Sequence, residues 1–212
     1  MLKASEIILN EKLVSIIRLE DAAKMEQIVT SLYHGGIRVV EITMNTPGAL
    51  EAIHQTSELF PDMLVGAGTV LDEKMAKETI QAGAKFILSP ILNKETVEVG
   101  VQEDVPVIPG VLSPTEAYNA YQYGADIVKV FPIRSFGTAY AKDILGPLPF
   151  IKLMGVGGIA VSNTEKYLKA GWLSLGIGTQ LVNDELVKNE RFHEIENRAK
   201  QFIEMRERAI GN

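Results

Sequence analysis

The chain has 212 residues, 46% of them hydrophobic and 23% charged, which is enough to bury one sizeable core, and a single domain over residues 1–212 is expected. A formal charge of −6, a pI of about 5.2 and the lack of any basic stripe argue against nucleic acid and anionic membranes as partners and leave small metabolites. Cysteine is absent, which removes disulfide and thiolate chemistry, and no apolar run approaches the roughly 18 residues that span a bilayer. The opening Met-Leu-Lys-Ala-Ser-Glu has no secretory core, so a soluble, cytoplasmic protein is expected.

In chain order, the first apolar run is 13–17, ending at Arg18. Ala22, Met25, Ile28, Val29 and Leu32 then fall on one helical face before Gly35-Gly36 stops the segment. A strand runs from Gly36 to Thr43, and Thr46-Pro47 is a plausible helix cap. Apolar runs follow at 64–70, with Asp72 as the next cap, at 83–90 and at 105–110. Ser113-Pro114-Thr115-Glu116 combines an N-cap serine, a proline at the first helical position and a glutamate placed to close the capping box. Strands at 124–132 and 151–156 come next, then Ser162-Asn163-Thr164-Glu165 with the same capping logic, a strand from Gly171 to Gly178, and a last helix from about Asn189 to Arg208. Its apolar face carries Phe192, Ile195, Ala199, Phe202 and Ile203.

Gly36, Gly83, Gly124 and Gly171 each end a helix just before a strand, and they stand 47, 41 and 47 positions apart. With the intervening runs, this gives eight strands that alternate with helices. Near-continuous apolar strands in strict alternation with helices predict a parallel sheet buried on both faces. Eight units, and glycine-rich turns after the last two strands, favour an α/β fold of the (β/α)8 TIM-barrel type. An open doubly wound sheet is the alternative that alternation alone leaves standing.

Active sites of such barrels form at the carboxyl ends of the strands. Lys129 sits within Ile-Val-Lys-Val-Phe-Pro (127–132), where burial disfavours the ammonium and leaves an amine able to attack a carbonyl. A strand-end lysine that reaches out into water is the competing reading. On the second strand Glu41 and Thr43 share a face with Val39 while Val40 and Ile42 share the other, so Glu41 is expected inside, either in an ion pair with Lys129 or as a proton carrier. The Gly155–Gly158 and Gly176–Thr179 segments are candidate phosphate loops, since glycine lets backbone N–H groups approach an anion and a following helix adds its dipole. Arg18, at the mouth of the first strand, is a natural fork for a substrate carboxylate, with Thr69 as a further donor. His34, His54 and His193 fall in expected helices without ligand spacing, so neither a metal site nor a serine–histidine arrangement is expected.

This ring resembles the family of 2-keto-3-deoxy-6-phosphogluconate (KDPG) and 2-keto-4-hydroxyglutarate (KHG) aldolases, class I enzymes on a (β/α)8 barrel. The match runs from about Leu13 to Val182. It rests on Gly-Gly-Ile-Arg-Val-Val-Glu-Ile-Thr at 35–43, Gly-Ala-Gly-Thr-Val at 66–70, Ser-Pro at 89–90, Pro-Gly-Val at 109–111, Lys-Val-Phe-Pro at 129–132 and Gly-Gly-Ile at 157–159. The resemblance implies a Schiff-base role for Lys129, proton transfer by Glu41, Thr69 near the pyruvoyl carboxylate, and a phosphate cradle in the last two glycine loops. Expected substrate-binding residues are therefore Arg18, Thr43, Thr69, Pro90, Phe131, Gly157, Gly158, Gly178 and Thr179. The resemblance further implies a homotrimer and a 2-keto acid substrate, and no cofactor is expected.

Three positions depart from the family pattern. Asn45 stands where many members carry an arginine, and Arg18 matches the members that place one at the end of the first strand instead. Val156 replaces a threonine of the usual Pro-Thr-Gly-Gly turn, and Arg134 is not typical. The competing functions are an aldolase for a related 2-keto-3-deoxy-6-phospho sugar acid of galactonate type, a phosphate-binding isomerase or thiamine-phosphate-type transferase without imine chemistry, and a non-catalytic sugar-phosphate-binding barrel.

Overall fold

The computed structural model describes residues 3–20 and 22–211, so Met1, Leu2, Asp21 and Asn212, the ends of the expected domain among them, lie outside the description. Strand segments are β1 (Leu13–Ile17), β2 (Val39–Thr43), β3 (Leu64–Gly68), β4 (Ile87–Leu88), β5 (Val107–Ile108), β6 (Gly110–Val111), β7 (Val128–Val130), β8 (Leu153–Val156) and β9 (Ser174–Ile177). All pairings are parallel, in the order β5-β4-β3-β2-β1-β9-β8-β7-β6. The two ends of that sheet, β5 and β6, are consecutive halves of one strand broken at Pro109, whose missing N–H cannot serve a ladder. β5 bonds to β4 and β6 to β7, which brings the sheet round into a (β/α)8 barrel and removes the open doubly wound alternative.

Strand alternation divides the apolar residues into two layers. Val14, Ile16, Val39, Leu64, Phe86, Leu88, Ile108, Ile127, Met154 and Val156 fill the barrel, whereas Leu13, Ile17, Val40, Ile42, Val65 and Ala67 face the helices. Phe86 takes the space beside Gly66, where any Cβ would collide with its ring.

The helices are α1 (Ala4–Glu11), α2 (Met25–His34), α3 (Ala49–Leu59), α4 (Glu73–Gln81), α5 (Lys94–Glu103), α6 (Pro114–Gln122), α7 (Tyr140–Leu145), α8 (Val161–Lys169), α9 (Asp184–Lys188) and α10 (Phe192–Ile210). None is long and apolar enough to cross a membrane. The expected caps at Ser113 and Asp72 form: Glu116 N–H donates to Ser113 Oγ, Ser113 N–H donates to Glu116 Oε2, and Met75 N–H donates to Asp72. Two others differ. α8 is capped at Ala160, with Asn163 Oδ1 accepting from the Ala160 N–H, so Ser162 lies inside the helix. Gly48 caps α3, because the Thr46 hydroxyl is drawn inward to accept from the Leu19 N–H at 3.1 Å.

Helix α1 precedes the first strand and was not anticipated. Its Ile8 is fully buried among the barrel-filling residues, and Ser5 Oγ donates to Asp126 just ahead of β7. It therefore lies across the amino-terminal end of the barrel.

Candidate active site

Strand ends bring Arg18, Glu41, Thr69 and Lys129 to the carboxyl end of the barrel. Glu41 is 2% exposed and Lys129 5%, in a barrel otherwise filled with apolar side chains. Glu41 pairs in register with Gly66, yet its carboxylate leans two residues further along β3, over Gly68, towards the reaction end. Lys129 lies between Gly110 and Met154, its own N–H donates to Pro109 O at 2.9 Å, and its Nζ stands 5.3 Å from the centre of the Phe131 ring.

Burial dominates the electrostatics of both groups. It pushes the Glu41 carboxyl up from 4.5 to about 7, against the pull of Lys129 and then of Arg18. It pushes the Lys129 amine down, against the pull of Glu41, while Arg18 adds to the depression. Among the described residues the two make no ion pair within 4.0 Å, and Glu41 Oε2 is buried without a hydrogen-bond partner. A buried acceptor without a protein partner is costly to keep. Arg18 lowers both groups, favouring the neutral amine that addition to a ketone requires and drawing the carboxyl back towards a range where it can both give and take a proton.

Arg18 Nη2 lies 3.5 Å from Thr69 Oγ1, and Thr69 has φ of 59°, a left-handed conformation rare for a β-branched residue and typical of strained functional positions. Thr43 is fully buried, and its hydroxyl meets that of Thr46 at 3.3 Å. Thr46 in turn holds the backbone of Leu19, next to Arg18, so Thr43 and Thr46 fix the arginine's segment. Pro90 is half-buried, and its carbonyl group lies 2.5 Å from where a Cβ at Gly110 would stand.

The two glycine loops lie side by side, after β8 and β9. Gly157 and Gly158 have φ of 101° and 91°, so both need glycine. Among the described residues the N–H groups of Gly157, Gly158, Gly178 and Thr179 donate to no protein acceptor, which leaves them available to an anion. The expected dipole contribution differs between the loops. α8 starts three residues after Gly158, but the helix after the second loop, α9, is five residues long and begins only at Asp184, so the second loop is followed by a 178–182 turn in place of a helix start.

Sequence reasoning placed the charged residues, but it gave Gly68 and Gly110 no part in shaping the site and read Thr46 only as a helix cap. The available signal was a glycine on the strand next to an inward-facing glutamate, within one side chain's reach of it. Among the described residues no cluster of three or more histidine, aspartate or glutamate side chains gathers as a metal site.

A parallel barrel with a buried amine and a carboxyl group titrating near neutrality at its reaction end has the groups of an enzyme that works on carbonyl compounds. The chain belongs to the KDPG and KHG aldolase family, whose model matches residues 4–198. It is 36% identical over 156 residues to the 2-dehydro-3-deoxy-phosphogluconate aldolase of Treponema pallidum, covering 73% of each chain. It superposes with a TM-score of 0.87 on the KDPG aldolase of Legionella pneumophila, solved with pyruvate captured at low pH as a covalent carbinolamine intermediate; the two are 30% identical and the match covers 94% of this chain and 97% of that one. A native KDPGal structure gives a TM-score of 0.88 at 27% identity, covering 94% and 96%. The expectations of a barrel fold and of aldolase activity are thereby met.

Proposed function

We propose that this aldolase is of class I and cleaves 2-keto-3-deoxy-6-phosphogluconate to pyruvate and glyceraldehyde 3-phosphate, with 4-hydroxy-2-oxoglutarate, giving pyruvate and glyoxylate, as a further substrate. The observation that carries this reading is the burial of Lys129, its amine pushed towards neutrality, beside a carboxyl group held near 7. Neutral Lys129 Nζ adds to the 2-keto carbon, and the carbinolamine loses water with Glu41 donating a proton, directly or through water. Glu41, now ionised, takes the proton of the C4 hydroxyl as the C3–C4 bond breaks, and the bonding electrons pass into the protonated imine to give an enamine. The aldehyde leaves, Glu41 returns its proton to C3, and water releases pyruvate from Lys129. A pKa near the working pH suits a group that must both accept and donate.

Arg18 and Thr69 hold the substrate carboxylate, with Phe131 and Pro90 lining the pyruvoyl end. The free N–H groups of Gly157, Gly158, Gly178 and Thr179 receive the phosphate. A galactonate-type 6-phospho sugar acid is the competing substrate, and likeness to the KDPGal structure supports assaying both epimers side by side. The proposal includes one domain over 1–212, a cytoplasmic location and a homotrimer. Leu71, Ile91 and Leu112 are exposed after β3, β4 and β6, as is Phe136, which stacks on Tyr140; an apolar surface of this kind calls for a protein partner, here two further copies.

The decisive experiment is borohydride reduction in the presence of pyruvate. One pyruvate-derived group on Lys129 is expected, with full turnover in EDTA; a label on another lysine, or none, ends the imine mechanism.

A further inference from the structure

We propose that Arg134 is a specificity-determining residue that completes the phosphate cradle with a side-chain fork; this rests on the phosphate assignment made above. Arg134 lies in the short 3-10 turn Ile133–Ser135 that follows β7, and it is exposed. Among the described residues it makes no ion pair, hydrogen bond or ring contact, unlike Arg38, Arg191 and Arg206, each of which is held by neighbours.

Its stem nevertheless lies against the loop after β8. A Cβ at Gly158 would stand 2.8 Å from Arg134 Cβ and 3.9 Å from its Nε, so the arginine runs alongside the loop in the space that Gly158 leaves open. Gly157 packs in the same way on Pro132 and Phe131. The segment after β7 and the loop after β8 thus pack against each other, and the joint unit carries both the unused backbone N–H groups and the unpaired guanidinium. Val156 points into the barrel's apolar filling and offers no donor. A phosphate dianion held only by neutral amides would keep its charge unbalanced, and the guanidinium supplies both the charge and a two-pronged donor that fits two phosphate oxygens. A carboxylate is the weaker candidate at this position, because the carboxylate fork, Arg18, stands on β1.

The test compares the preferred phosphorylated sugar acid with its unphosphorylated counterpart on wild type, Arg134→Ala and Arg134→Lys. Alanine keeps the Cβ that contacts Gly158, so the loop stays supported. Arg134→Ala should raise KM for the phosphorylated substrate by ~10–100-fold, leave kcat/KM for the unphosphorylated one unchanged, and be partly rescued by lysine. An unchanged KM in a protein that still prefers the phosphorylated substrate would make Arg134 an ordinary surface residue. A wild type that does not discriminate between the two substrates would overturn the phosphate assignment itself, and the role of Arg134 with it.

Discussion

The carboxylate of Glu41 occupies the space that a side chain at Gly68 would need, with Oε1, Cδ and Cγ all within collision distance of a Cβ there. Because Glu41 is paired with Gly66 but leans over Gly68, the bare backbone of β3 sets how far the carboxylate reaches towards the reaction end. Gly68→Ala should therefore move the carboxylate without touching its chemistry. A fall in kcat of ~10²-fold or more is expected, the scale of a displaced general acid–base, with a folded protein by circular dichroism. A variant with wild-type kcat would show that the carboxylate works from elsewhere.

Glu41 also sets a pH dependence whose sign can be worked out. Its folded value of about 7 lies above the ordinary 4.5, so between those limits the folded protein holds the proton that the unfolded chain has lost. The associated stability is fully present below about 4.5, declines as pH rises, and is gone above about 7, a loss of roughly 3 kcal/mol at about 1.4 kcal/mol per pH unit. Glu41→Gln should remove that slope and gain on wild type across the window, measured by denaturant unfolding at several pH values. Activity runs in the same direction, because the free enzyme enters the cycle with Glu41 protonated, ready to donate to the departing hydroxyl. kcat/KM of the wild type should fall as pH rises through about 7, and that limb should be absent from the slow Glu41→Gln variant. Identical unfolding slopes for the two proteins would contradict the assignment.

Removing Arg18 has two separable effects. Loss of the carboxylate fork should raise KM for pyruvate-like substrates by ~10–100-fold. Arg18 also opposes the rise of Glu41 and deepens the depression of Lys129, so Arg18→Ala should move the falling limb of kcat/KM to higher pH. A purely structural arginine would leave both the KM and the position of the limb untouched.

The exposed apolar residues around the reaction mouth give a prediction for assembly. Ile91→Asp combined with Leu112→Asp should turn a sedimenting trimer into smaller species, since burying two carboxylates in an apolar contact is strongly unfavourable. A wild type that sediments as a monomer would end the trimer proposal.

Lys129 and Glu41 were legible in the sequence because a charge within a run of strand formers has few innocent explanations, and the register of β2 and β7 places both inside. Alternation of strands and helices disclosed the eight units, but closure is decided at Pro109, and a run such as 105–110 reads as one strand until its two halves are seen bonding to different neighbours. Thr46 looked like a cap because threonine before proline usually is one. A hydroxyl inside a packed loop instead goes to whichever backbone donor would otherwise be buried alone, here that of Leu19. Helix α1 escaped notice since Ala-Ser-Glu-Ile-Ile-Leu-Asn-Glu is too short to declare a period and precedes the first repeat.

That short helix bears on the chemistry at the far end of the molecule. By seating Ile8 in the base of the cylinder and anchoring Ser5 to Asp126, it covers the amino-terminal end of the barrel below Lys129. Trimming the first dozen residues would open a back door, rehydrate the ammonium and restore its ordinary basicity. The reactivity proposed for Lys129 is in this sense maintained from below, by a stopper that takes no part in the proposed reaction.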